Sequence, residues 1–61
     1  MYSIHHWDTF DNETSKVTER RTLEEARNFV YARYAGRIGS NGADQVDIVK
    51  DGEVVQSFKV S

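Results

Sequence analysis

The sequence contains no cysteine, so it can form neither a disulfide bond nor a thiolate metal site. It also shows no basic segment followed by a long apolar run, and we therefore expect no signal peptide, no membrane span and a cytoplasmic location. At 61 residues, the chain is close to the smallest size at which an apolar core can fold without crosslinks. We therefore predict one domain of modest stability, covering residues 1–61.

The chain also lacks an excess of positive charge, because its eight lysines and arginines are outnumbered by ten acidic residues. The resulting formal net charge of −2 disfavours a general nucleic-acid binder. The charge is unevenly distributed along the chain. Residues 1–15 contain three acidic residues and no lysine or arginine, whereas residues 16–37 contain six basic residues and three acidic ones. If the arginines of this middle segment cluster in the fold, we expect them to suit an acidic protein partner.

Residues 22–36 carry the signals of one helix. Residues 22–25 read TLEE, which is a capping box that places the start of the helix at Leu23. At about 100° per residue the apolar side chains form one stripe. The stripe comprises Leu23, Ala26, Val30 and Tyr34, with Phe29 and Tyr31 on its flanks. Because Gly36 suits the left-handed conformation that ends helices, we predict a helix from Leu23 to about Ala35, followed by a loop over 37–43.

Alternating patterns on both sides of the helix predict two hairpins. In the first strand, Tyr2, Ile4 and His6 alternate with Ser3, His5 and Trp7. A turn over 11–15 leads to a polar second strand over 16–21, which we expect at a sheet edge. The second hairpin joins strands over 45–49 and 53–60, and we predict a three-residue loop that pairs Ile48 with Val54.

The predicted fold is an α+β ββαββ domain with one helix on a four-stranded sheet. Because the first and fourth strands are richest in apolar residues, we expect them side by side and parallel in the centre, in the order 2-1-4-3. This layout resembles the β-grasp arrangement of the immunoglobulin-binding domains of protein G, with Tyr2, Ile4, Phe58 and Val60 at the central-strand core positions. The resemblance spans the whole chain but is architectural, so it implies a fold and no antibody-binding residues. The alternative is an antiparallel meander.

The residue pattern favours no catalytic or metal chemistry. Neighbouring strand residues point to opposite faces, so His5 and His6 cannot hold one ion together. We expect His6 on the core side as a satisfied, partly buried histidine. The serines and threonines have no triad context, and one helix on a small sheet leaves little room for a pocket. We therefore predict no enzymatic activity, no cofactor and no metal.

The sheet face away from the helix is the predicted binding surface. An exposed tryptophan there is an aromatic anchor of the kind that interfaces use, although it could equally be minor packing. The partner-binding candidates are His5, Trp7, Lys16, Arg20, Arg21 and Val55. We expect a small protein-binding module, regulator or inhibitor that acts through this face or the second-strand edge.

Three other functions remain open at the level of sequence. Trp7 could stack on a base while Lys16, Arg20 and Lys59 contact phosphates, which would make the domain a single-stranded nucleic-acid binder. The chain could also form a homodimer through the same face, or serve as a structural subunit without a discrete site. In style it resembles the small accessory proteins that bacteriophages encode.

Overall fold

A computed structural model describes residues 1–39 and 41–61 of the protein. The elements are β1 Tyr2–Asp8, β2 Glu13–Arg20, α1 Leu23–Arg33, β3 Asp44–Lys50 and β4 Glu53–Val60. The helix packs on one face of a four-stranded antiparallel sheet, which confirms the predicted α+β class and the ββαββ order. Ser40, which belongs to the predicted loop over 37–43, lies outside the described residues. None of the described helical residues form a segment long and apolar enough to cross a membrane.

The helix begins where its capping box predicts. The Thr22 hydroxyl accepts a hydrogen bond from the backbone amide of Glu25 at 3.1 Å, which satisfies one of the free amides of the first turn. The helix ends at Arg33 rather than near Ala35, because Tyr34 leaves helical geometry with φ −113°. Gly36 then takes a positive φ of 75°, as expected of a residue that follows a helix end.

The strand order is β2-β1-β3-β4, so the predicted order 2-1-4-3 is wrong, and so is the simple meander. β1 pairs with β3 in antiparallel orientation, with Ile4 opposite Ile48, and β4 occupies an edge. Apolar content does not distinguish β3 from β4 as the neighbour of β1, because each of these strands buries two apolar side chains under the helix. Gln56 of β4 does distinguish them: it lies opposite Ile48 and is only half-buried, a position that an edge strand tolerates.

The turn between β3 and β4 has two central residues, not the predicted three. Asp51 and Gly52 have φ of 54° and 82°, and two consecutive positive values are the signature of a type I′ hairpin turn. Val54 therefore pairs with Val49, and the predicted pairing of Val54 with Ile48 is wrong. A bulge that accommodates Val55 then shifts the register and returns the rest of β4 to the core pattern.

A second bulge lies in β2, which is the predicted polar edge strand. Thr18 pairs with Ile4 and Lys16 pairs with His5, so Val17 is the extra residue between them. Val17 packs against the core. Because the insertion shifts the alternation by one residue, the two ends of β2 present different sides to the helix.

The core lies between the helix and the sheet, and the loop after the helix closes one end of it. The buried residues are Ile4, Ala26, Val30, Tyr34, Val46, Ile48, Phe58 and Val60. On the outer edge of β4, the Gly39 amide donates to the Lys59 carbonyl at 2.9 Å, and the Ser61 amide donates to the Arg37 carbonyl at 2.8 Å. The last residues of β4 are thereby paired on both sides, and the outer edge of the strand is covered at this end.

We predict that Gly42→Ala destabilises the fold, because a Cβ at this position would lie 2.5 Å from the backbone of Val60. The free energy of unfolding should fall by about 1–3 kcal/mol, as measured by urea denaturation. Gly39→Ala is the matched control, since a Cβ there meets no atom within 4 Å. Equal stability of the two variants would contradict the close packing of this loop on β4.

Candidate functional site

The sheet face away from the helix, which we call the open face, is built from three cross-strand rows. The pairing registers place the rows as Glu19–Ser3–Val49–Val54, Lys16–His5–Asp47–Ser57 and Thr14–Trp7–Gln45–Lys59. The third row lies at the end of the sheet next to the β1–β2 turn, and the first lies at the opposite end. The open face is therefore apolar at Val49 and Val54, polar in the middle and aromatic at Trp7.

Trp7 points away from the helix, as the alternation of β1 predicts. Ile4 of the same strand is fully buried under the helix, so a residue three positions later faces the other side. On this open side of the sheet, Trp7 is 38% exposed. The indole Nε1 donates to Oδ1 of Asn12 across the turn at 3.3 Å, which fixes one edge of the ring. The rest of the exposed indole is available for contact.

The charged groups of the open face are largely matched within the chain. The Lys16 ammonium lies 3.1 Å from the Glu19 carboxylate. Asp47 accepts hydrogen bonds from the Gln45 amide at 2.8 Å and from the Ser57 hydroxyl at 2.7 Å. His5 lies half-buried between Lys16 and Asp47 in the middle row. The face thus combines an aromatic group with a polar surround that has little net charge.

Two of the six predicted site residues, Arg20 and Val55, do not join Trp7 as expected, and Arg21 was predicted at the edge of the second strand rather than on this face. The prediction that Arg20 shares the face of Trp7 is wrong, because the β2 bulge turns it to the helix side, where its guanidinium lies 4.8 Å from the Phe29 ring centroid. Arg21 follows the end of β2 and lies outside the strand. Val55 is exposed, but it lies in the edge strand β4 next to the turn, at the far end of the sheet from Trp7.

Two arginines near the end of the helix lie over the ring of a buried tyrosine. Arg33 and Arg37 both lie 5.3 Å from the ring centroid of Tyr34. The Arg37 Nε also donates to the backbone carbonyl of Ser61 at 2.7 Å. These contacts shield the rim of the core and stabilise it through the attraction between a cation and an aromatic face.

His6 links three elements of the fold at the border of the core. Its Nδ1 lies 3.0 Å from the Tyr34 hydroxyl and its Nε2 lies 3.0 Å from Oδ2 of Asp44. An ionised Asp44 can only accept, so Nε2–H donates to it, and in the neutral imidazole Nδ1 then accepts from the buried Tyr34 hydroxyl. The arrangement ties β1 to β3 and to the end of the helix. It confirms the prediction of a satisfied, partly buried histidine.

Asp44 has a pKa below its ordinary value of 3.8. The largest cause is the hydrogen bond from His6, and the next is the hydrogen bond from the backbone amide of Thr9, whose N lies 3.3 Å from Oδ1. Both bonds favour the ionised carboxylate. The Asp44 side chain therefore also anchors the start of the β1–β2 turn, one residue after β1 ends at Asp8.

The β1–β2 turn contains a residue that the sequence reasoning did not select. Phe10 is 94% exposed, the largest exposure among the described large apolar residues. β1 ends at Asp8, so Phe10 lies beyond the strand, in the turn. The signal that could have located the turn is Asp8, whose carboxylate accepts from the amides of Phe10 and Asp11, as aspartates at turn starts often do.

We predict that Asp44 makes folding stability sensitive to acid. Its folded-state pKa is depressed, so its contribution is fully present above the ordinary value of 3.8 and is lost as the pH falls through the lowered pKa. Urea denaturation at a series of pH values should show a shallower loss of stability in Asp44→Asn than in the wild type. Asp51→Asn, in the β3–β4 turn, is the control and should retain the wild-type slope. Parallel curves for wild type and Asp44→Asn would contradict the hydrogen bonding described for Asp44.

The site rests on its own geometry, because comparison of the chain with protein-family models, curated proteins and solved structures finds no match. Within residues 1–39 and 41–61, no three acidic or histidine side chains are grouped to hold a metal ion. The same part of the chain encloses no cavity. The candidate recognition surfaces are therefore the open face and the adjoining β1–β2 turn.

Proposed function

We propose that the protein is a binding module that recognises another protein through the open face, with Trp7 as its anchor. The observation that carries the proposal is the indole of Trp7, exposed on a face that the helix does not cover and held at one edge by Asn12. Tryptophan supplies a large contact area with few rotatable bonds, and it is enriched among the residues that dominate binding energy. A fixed ring also loses little conformational entropy on binding.

The surroundings of Trp7 support a protein partner. Protein interfaces combine an aromatic or apolar centre with a polar rim that contains few uncompensated charges. The middle row of the open face has this character, since Lys16 is paired with Glu19 and Asp47 accepts two hydrogen bonds. A standard interface takes about 800 Å² from each partner, which is about a fifth of the 4111 Å² accessible surface of this chain.

Nucleic-acid binding is less well supported by the same face. Phosphate binding depends on unpaired basic side chains. Arg20, which the stacking hypothesis required, lies on the helix side, and Lys16 contacts a carboxylate. Lys59 remains, but Glu19 and Asp47 share the face with it. We therefore propose protein recognition, with a role as regulator or inhibitor by occupation of the partner's surface.

The test is affinity capture from the source organism followed by titration of the purified partner. Trp7→Ala should weaken binding at least tenfold, equivalent to about 1.4 kcal/mol, while circular dichroism shows retained folding. Tyr31→Ala is the matched control, because Tyr31 is an aromatic residue 50% exposed on the helix side. A partner that binds Trp7→Ala as tightly as wild type would contradict the proposal.

Two further measurements separate the alternatives. Trp7 fluorescence during titration with single-stranded oligonucleotides, at low and high salt, detects a stacked and salt-sensitive complex, which would favour nucleic-acid binding over this proposal. Sedimentation over a range of concentrations detects a dimer. If the dimer is lost in Thr14→Arg, which crowds the Trp7 row from β2, the partner is a second copy of the chain.

A further inference from the structure

The β1–β2 turn, residues 9–12, presents an apolar side chain entirely to solvent. Phe10 lies at its tip and is 94% exposed, so its ring makes almost no contact within the protein. Scattered exposed apolar residues are normal on protein surfaces. Phe10 differs from such residues because the backbone that carries it is fixed on both sides and because it adjoins Trp7 and the open face.

Hydrogen bonds hold the turn in one conformation. Oδ1 of Asp8 accepts from the Phe10 amide at 3.0 Å and from the Asp11 amide at 3.3 Å. The Thr9 hydroxyl donates to the Ala43 carbonyl at 2.9 Å, which ties the turn to the segment before β3. Asn12 completes the turn with a φ of 53° and accepts from Trp7. A side chain on such a preorganised loop binds with a small loss of backbone entropy.

The charged residues next to Phe10 in sequence are all acidic. Asp8, Asp11 and Glu13 all lie within three residues of it in sequence, and residues 1–15 contain no lysine or arginine. Asp44 adds a fourth carboxylate, since it accepts from the amide of Thr9. These carboxylates next to the aromatic tip attract a basic surface and repel an acidic one.

We propose that the β1–β2 turn inserts Phe10 into an apolar pocket of a partner protein, and that lysine or arginine side chains around that pocket contact Asp11 and Glu13. The inference rests on the proposed function, because it states the chemistry of the partner that the binding module recognises. A membrane surface is the less favoured occupant, since anionic lipid headgroups would be repelled by the same carboxylates that attract a basic protein.

The experiment uses the full chain as bait and a displayed library of a folded scaffold with a randomised surface as the probe. Binders selected on the wild type should be rich in lysine and arginine among apolar positions. Phe10→Ala should weaken them at least tenfold, and Asp11→Asn combined with Glu13→Gln should weaken them and reduce the salt dependence. Because Phe10 contacts almost nothing, Phe10→Ala should leave the thermal midpoint unchanged.

Tyr31→Ala is the matched control, because Tyr31 is an aromatic residue 50% exposed on the helix, away from the turn and the open face. Failure to select binders, binders that keep their affinity for Phe10→Ala, or binders without basic residues would overturn the inference. Phe10-dependent binding to zwitterionic or anionic lipid vesicles would overturn it in favour of a membrane. Binders that depend on Trp7 but not on Phe10 would overturn this inference and leave the proposed function standing. Binders that depend on Phe10 but not on Trp7 would support only the inference.

Discussion

The antiparallel pairing of β1 with β3 is the constraint on which the rest of the structure depends. β1 lies between β2 and β3, so its alternation decides which side chains the sheet gives to the core and which to solvent. Ile4 and His6 face the helix, where one is buried and the other bonds Tyr34. His5 and Trp7 consequently face the other way. Since the chain has only one described helix, that second face stays uncovered.

The sequence allowed the helix, the fold class and the two faces of β1 to be predicted, because these features depend on local signals. The Thr22 cap and the apolar stripe are contained within the helix itself, and the alternation in β1 is uninterrupted. The strand order and the outer registers could not be predicted in the same way. A bulge inserts one residue, Val17 in β2 or Val55 in β4, and every later side chain then changes face.

The same bulges explain why the candidate site was only partly predicted. Trp7 and His5 precede no irregularity in their own strand, and both lie where the alternation places them. Arg20 follows the β2 bulge and lies on the opposite face. Phe10 was not selected because a period-two pattern does not show where a strand stops, whereas the bonds of Asp8 to the turn amides do. Polar turn chemistry therefore carried the information that apolar periodicity lacked.

A single measurement tests the pairing that positions both Trp7 and His6. In solution, nuclear Overhauser effects between backbone protons should join Ile4 to Ile48 and His6 to Val46, as the antiparallel β1–β3 register requires. Nuclear Overhauser effects between backbone protons of β1 and β4 would instead place β4 in the centre of the sheet. That result would contradict the strand order and, with it, the arrangement of the open face.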